Sequence, residues 1–84
     1  MFYVYVLKSE VDKKLYIGYT DDLKRRISEY NQGKTKSIKH RMPFELIYYE
    51  AYKNKTDARK REIELKNNSY QKEQLLKKIG NSLN

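Results

Sequence analysis

The sequence predicts an α+β fold of three strands and three helices, and three observations carry that prediction. Phe2-Tyr3-Val4-Tyr5-Val6-Leu7 and Leu15-Tyr16-Ile17-Gly18 are β-biased, tyrosine-bearing runs separated by a short polar loop, the pattern of an antiparallel pair. Phe44 to Tyr52 is a third run of that character, opened by Pro43. Capping residues then stand before each helical stretch: Thr20-Asp21-Asp22, Thr56-Asp57 and Asn67-Asn68-Ser69.

Phe2 to Leu7 is continuously apolar, which suits a strand covered on both faces and central in its sheet. Lys8 to Lys14 lacks a tight-turn dipeptide and reads as a longer loop into the second strand, Leu15 to Tyr19. Side chains alternate along a strand, so Tyr3 and Tyr5 share one face, as do Tyr16 and Gly18. Two phenols can then lie side by side, although a lone strand tyrosine is more often ordinary sheet packing. A glycine inside a strand marks a bulge or the close approach of another group.

Thr20-Asp21-Asp22 offers a capping hydroxyl and two acids in the first turn of a helix that runs to about Gln32, with Gly33 closing it. Leu23, Ile27 and Tyr30 define its inward face and place Arg26 on that stripe, whereas Arg25 points outward. A cation there is either clamped by an acid or aimed at an anion. Lys34 to Met42 has no periodicity and reads as a mobile basic loop. The position of the third strand in the sheet is not set by the sequence. Thr56-Asp57 caps a second helix, Ala58 to about Lys66, in which Glu62 lies on the stripe of Ala58 and Leu65 while Glu64 projects to solvent. A carboxylate on such a stripe needs an arginine, a hydrogen-bond network or a metal. The third helix, Tyr70 to Ile79, covers the sheet with Leu75, Leu76 and Ile79, and residues 81–84 form a frayed tail behind a single domain of residues 1–80.

Composition narrows function. The 84 residues contain no cysteine and one histidine, which excludes a disulfide framework or a Cys-based zinc site and suits a reducing, cytoplasmic setting. No apolar run approaches the ~20 residues of a membrane span, and the N-terminal run is too short for a signal peptide. Nineteen Lys and Arg against 11 Asp and Glu leave a net charge of +8, so phosphate is the expected partner. Lys34, Lys36, Lys39, His40 and Arg41 form one basic cluster and Arg59-Lys60-Arg61 another.

Tyr3-Val4-Tyr5, then Tyr16-Ile17-Gly18, then Arg26 within Leu23-Lys24-Arg25-Arg26, then Glu62 on a later helix: in this order the chain resembles the GIY-YIG endonuclease superfamily, closest to its small single-domain members. The resemblance implies a three-stranded antiparallel sheet flanked by helices and a divalent-metal-dependent phosphodiester hydrolase site. By position, Tyr5 and Tyr16 match the tyrosines of the two motifs, Arg26 the catalytic arginine and Glu62 the glutamate that holds Mg²⁺ (or Mn²⁺). Tyr30 occupies a position that is His in several relatives, Tyr3 stands for the first motif's usual glycine, and Tyr19 replaces a lysine found in some. Implied roles follow: Arg26 on phosphate, Tyr16 with Tyr5 as the base, and Tyr30 as base or support. Only one inward carboxylate is evident, which favours a one-metal site.

Three readings follow. The leading one is a DNA endonuclease, acting on branched or damaged forms, with RNA as a further possible substrate. The second is a non-catalytic nucleic-acid-binding module on the same fold, for which an acid in an anion pocket is a disadvantage. The third makes Arg26 and Glu62 a structural ion pair between two helices.

Overall fold

β1 (Phe2–Ser9) is the strand on which everything else is built. The computed structural model, which describes residues 1–83, places it in the middle of a three-stranded antiparallel sheet of order β2-β1-β3, with β2 at Leu15–Thr20 and β3 at Phe44–Tyr52. The expectation of a central, doubly covered first strand holds: Val4, Tyr5, Val6 and Leu7 are all buried. The alternate residues divide between two cores. Val4 and Val6 pack with Ile17, Ala58, Leu65 and Leu75 on one face, and Tyr5 and Leu7 pack with Tyr30 and Phe44 on the other.

β3 serves both cores because its register against β1 slips by one residue. Tyr48 pairs with Val6 but Leu46 with Leu7, so Ile47 is the extra residue of a bulge. Phe44 and Leu46 thereby face the tyrosine-lined core, while Tyr48 and Tyr52, of the same parity, face the aliphatic one.

α1 (Leu23–Asn31) covers the tyrosine-lined face. Its cap differs from the expected one. Asp22 is the N-cap, its Oδ1 accepting from the Arg25 N–H at 3.1 Å, and no acid lies in the first turn. The Thr20 hydroxyl is engaged instead with the Asp22 backbone, accepting its N–H at 3.0 Å. Gly33 ends the helix at φ +73, a left-handed conformation that glycine adopts without steric cost. The bonds Gly33 N–H to Tyr30 O and Lys34 N–H to Glu29 O, both 3.1 Å, complete a Schellman ending. The Asn31 amide then reaches the start of β3, donating to Phe44 O at 3.0 Å and accepting from Phe44 N–H at 2.7 Å.

α2 (Lys55–Asn67) and α3 (Ser69–Lys78) lie on the aliphatic face. α2 begins earlier than Thr56-Asp57 suggests, because Asn54 caps it by accepting the Thr56 N–H at 2.8 Å, which puts Asp57 in the first turn. Asn68 both ends α2, its N–H donating to Glu64 O at 2.8 Å, and caps α3, its side chain accepting from Gln71 N–H at 3.1 Å. Leu75 is buried, and Ile79 packs against the same cluster.

Two stretches are more ordered than expected. Lys34 to Met42 contains a 3₁₀ turn at Lys39–Arg41. The Ser9 hydroxyl donates to the Arg41 carbonyl, the Arg41 guanidinium holds Asp12 at 2.7 Å, and Glu10 N–H donates to Pro43 O at 2.9 Å. The frayed tail is instead a 3₁₀ turn at Gly80–Leu83, with Lys8 Nζ donating to the Leu83 carbonyl, and Asn84 lies outside the described residues. Among the described residues no helix is long and apolar enough to cross a membrane.

Candidate active site

Tyr5 and Gly18 are direct partners across β1 and β2, and the Tyr5 ring lies over the glycine. A Cβ at Gly18 would come within 2.2 Å of the Tyr5 hydroxyl, so the bare backbone here is the condition for that ring position. The hydroxyl lies 2.8 Å from that of Tyr30, supplied by the inward face of α1. The Tyr30 ring is the hub: its centroid is 6.1 Å from that of Tyr5, 5.5 Å from Tyr16 and 5.7 Å from Phe44. Arg26, one turn before Tyr30, lays its guanidinium over that ring at 4.6 Å.

Arg26 is clamped by an acid, and the acid is Glu29, at 3.2 Å, not Glu62. Its side chain keeps 34% exposure, so the fork is not closed off. Burial works against its charge, but the Tyr5 hydroxyl, Tyr30 and Glu29 outweigh that, and its pKa lies above the usual arginine value. Burial pushes the Tyr5 phenol up, with Tyr30 and Arg26 offsetting part of the shift. Tyr30 is pushed up further, by burial and then by the Tyr5 and Tyr16 phenols beside it. Both therefore stay protonated near neutral pH and serve as hydrogen-bonding supports. Tyr16, half-buried at the rim, is the remaining phenol within reach of solvent.

Glu62 sits on α2, on the other side of the sheet. Its carboxylate is 12% exposed and holds Lys66 at 3.0 Å and Arg59 at 3.6 Å. Arg59 in turn lies 5.1 Å over the Tyr19 ring. The sequence-predicted residues thus form two groups, which meet the edge strand β2 from opposite faces, Tyr16 on one side and Tyr19 on the other. No ion pair joins Arg26 and Glu62 among the described residues, which removes the structural-pair reading. Sequence reasoning missed Glu29, although its three-residue spacing from Arg26 was a usable signal. It placed Arg59 in a basic cluster but not beside Tyr19, a contact that exists only in the folded chain.

A divalent ion here has one carboxylate to hold it. No group of three or more metal-ligating residues exists among the described residues, so an Mg²⁺ at Glu62 would displace Arg59 and Lys66 from the carboxylate oxygens and take the rest of its shell from water and phosphate.

The basic surface is smaller than the sequence suggests. Lys34, Lys36, Lys39 and His40 are exposed, but Arg41 is 16% exposed and fixed to Asp12, with its guanidinium 5.7 Å from the Phe44 ring. In the second cluster Arg61 is also withdrawn: its guanidinium holds Glu50 at 3.0 Å and also binds Glu64.

Residues 1–76 match the GIY-YIG catalytic domain. The chain belongs to the GIY-YIG family. It is 44% identical over 78 residues to a UPF0213 protein of Staphylococcus epidermidis, covering 92% of both chains. It is 36% identical over 83 residues to one of Haloquadratum walsbyi, covering 98% of this chain and 92% of the relative. The solution NMR structure of a Bacillus halodurans UPF0213 protein is similar at TM-score 0.58 and 39% identity, over 92% of this chain and 84% of that one. GIY-YIG domains are generally of nuclease type and engage nucleic acid. The three-stranded sheet with its helices is the architecture expected from the motif order.

Proposed function

We infer that this GIY-YIG domain is a metal-dependent endonuclease hydrolysing phosphodiester bonds in DNA, branched or damaged forms included, in the cytoplasm. The observation that carries the reading is the Arg26 guanidinium resting on Tyr30, the central ring of three clustered phenols beside an edge strand, charged and still open to solvent. Arg26 donates to a nonbridging phosphate oxygen, as a planar guanidinium does well. Tyr5 and Tyr30 hold that guanidinium in place. Tyr16 would accept the proton of the attacking water as its phenolate, while burial holds the other two phenols protonated in supporting roles. Glu62 would hold a divalent ion, which would supply Lewis-acid stabilisation of phosphate and leaving-group oxygens.

The decisive experiment offers single-stranded, duplex, flap and branched DNA and structured RNA with Mg²⁺, with Mn²⁺ and with chelator. Cleavage should require metal. Arg26→Ala should slow it by about 10²- to 10³-fold, the usual loss for a charge-stabilising donor, while Arg25→Ala stays near the parent. Glu62→Gln should abolish it with binding retained. The second reading, a binding module, is favoured by one feature: both Glu62 oxygens are already engaged by cations of its own helix. Binding without cleavage under every metal condition would establish that reading.

Binding itself should follow counterion release. Neutralising Lys34, Lys36 and Lys39 together should flatten the log affinity against log salt plot by roughly two to three units. Arg41→Gln should lower stability and leave the slope unchanged, since its charge is already paired. A slope that Arg41→Gln moves and the lysines do not would relocate the binding surface.

A further inference from the structure

A groove of about 440 Å³ runs between the start of α1 and the β1 and β3 strands, on the sheet face that carries Tyr5 and Tyr30. Its floor is apolar, from Leu23, Ile27 and Leu46, and Tyr3 and Tyr49 form one wall with their rings edge to face at 6.0 Å. Tyr49 is 52% exposed and is the direct strand partner of Tyr5. Asp21 and Asp22 lie along the rim. We propose that this groove receives an unstacked, amine-bearing nucleobase (adenine, cytosine or guanine) of a single-stranded segment held at Arg26. This rests on the nuclease reading of the adjacent site.

The lining selects this occupant. Asp21 and Asp22 outnumber Lys24 in the lining, on a chain whose net charge is +8, so the groove attracts the phosphate backbone less than the rest of the surface does. A base carries no charge, stacks on phenol rings irrespective of sequence, and offers exocyclic N–H groups to carboxylate oxygens. Thymine and uracil have no exocyclic amine, and their one ring N–H is flanked by two carbonyl oxygens that a carboxylate repels, so the acids discriminate against them. Each acid keeps an acceptor oxygen: Asp22 Oδ1 takes the Arg25 N–H, and Asp21 Oδ1 pairs with Arg25 Nη2 at 3.4 Å.

The test measures binding of labelled oligo-deoxycytidine and oligo-deoxythymidine of equal length, and of a mixed duplex, at one salt concentration, beside cleavage of the same molecules. The parent should prefer oligo-deoxycytidine by roughly tenfold. Tyr49→Ala should weaken that binding by about tenfold, the loss of one stacked base, and leave the duplex affinity in place. Asp21→Ala releases Arg25 and so favours every nucleic acid equally, but the cytidine-to-thymidine ratio should fall to about one. Equal effects of Tyr49→Ala on duplex and single strand, or a ratio that survives Asp21→Ala, overturns the pocket. If cleavage persists in that case, the nuclease reading stands without it. A base-dependent ratio in a protein that cleaves nothing supports the pocket and removes the nuclease reading, and no binding to any of the three overturns both.

Discussion

Replacing Gly18 by alanine is expected to destabilise the fold by the upper part of the ~1–3 kcal/mol range for overpacked cores, and to disable the site in the same step. The new methyl would lie 2.2 Å from the Tyr5 hydroxyl and 2.4 Å from its Cζ, separations no side chain tolerates. Tyr5 cannot swing clear. It is 1% exposed, bonded to Tyr30, and packed among Leu7, Tyr30 and Phe44. Either the ring leaves, stranding the Tyr30 hydroxyl and loosening Arg26, or the β1 and β2 strands part. Urea unfolding of Gly18→Ala beside Gly80→Ala separates this from a generic glycine effect, because a Cβ at Gly80 meets nothing within 4 Å. A Gly18→Ala protein within about 0.5 kcal/mol of the parent would refute the account of the close approach.

Arg61→Met should cost roughly 2 kcal/mol, below the range for breaking a fully buried ion pair because Arg61 and Glu50 keep 20% and 16% exposure. Glu50 is 16% exposed and accepts from Arg61, from the Tyr48 hydroxyl at 2.6 Å and from the Tyr52 hydroxyl, while Arg61 also binds Glu64 and Gln71. Removing the guanidinium leaves that carboxylate with two phenols. The pH dependence has a sign on each side. Burial alone would raise the Glu50 pKa, but Arg61 and the two tyrosines hold it below its usual value. Its stabilising contribution is therefore present above the unfolded carboxylate pKa and lost as pH falls through the lowered one. Burial and the Glu50 hydrogen bonds push Tyr48 and Tyr52 up from 10.0 to about 12, so their contribution is complete below pH 10 and lost as pH rises through about 12. Urea midpoints across pH should show the parent losing stability at both extremes. An acid limb as steep in Arg61→Met as in the parent would show that Arg61 does not set the Glu50 titration.

Much of this was legible in the residues. The apolar run of β1 announced a central strand, and Pro43 fixed where β3 opens. Strand alternation put Tyr5 on the face of Gly18 and Tyr16, and the helix period brought Arg26 and Tyr30 to it. The helix starts were shifted because several capping residues stand in a row, and which one caps depends on where the preceding strand releases the chain: Thr20 belongs to β2, so Asp22 caps. Arg41 read as a free cation because Asp12 lies 29 residues away in sequence, and Arg61 because Glu50 lies 11 away, although its second acid, Glu64, stands three residues on. Tyr48, Glu50 and Tyr52 did carry a signal, since alternation places a carboxylate between two phenols on one strand face, and such a group needs a cation.

The double hydrogen bond between the Asn31 amide and the Phe44 backbone closes the basic segment into a ring at its base. Ring closure depends only weakly on length, with a doubling costing about 0.6 kcal/mol of chain entropy. Insertions between Gly33 and Lys39 are therefore cheap, and they leave β3 in register and Tyr30 in its place. In evolutionary terms, the exposed lysine segment is free to lengthen, shorten and change its charge while the cluster of Tyr5, Tyr30 and Arg26 stays fixed.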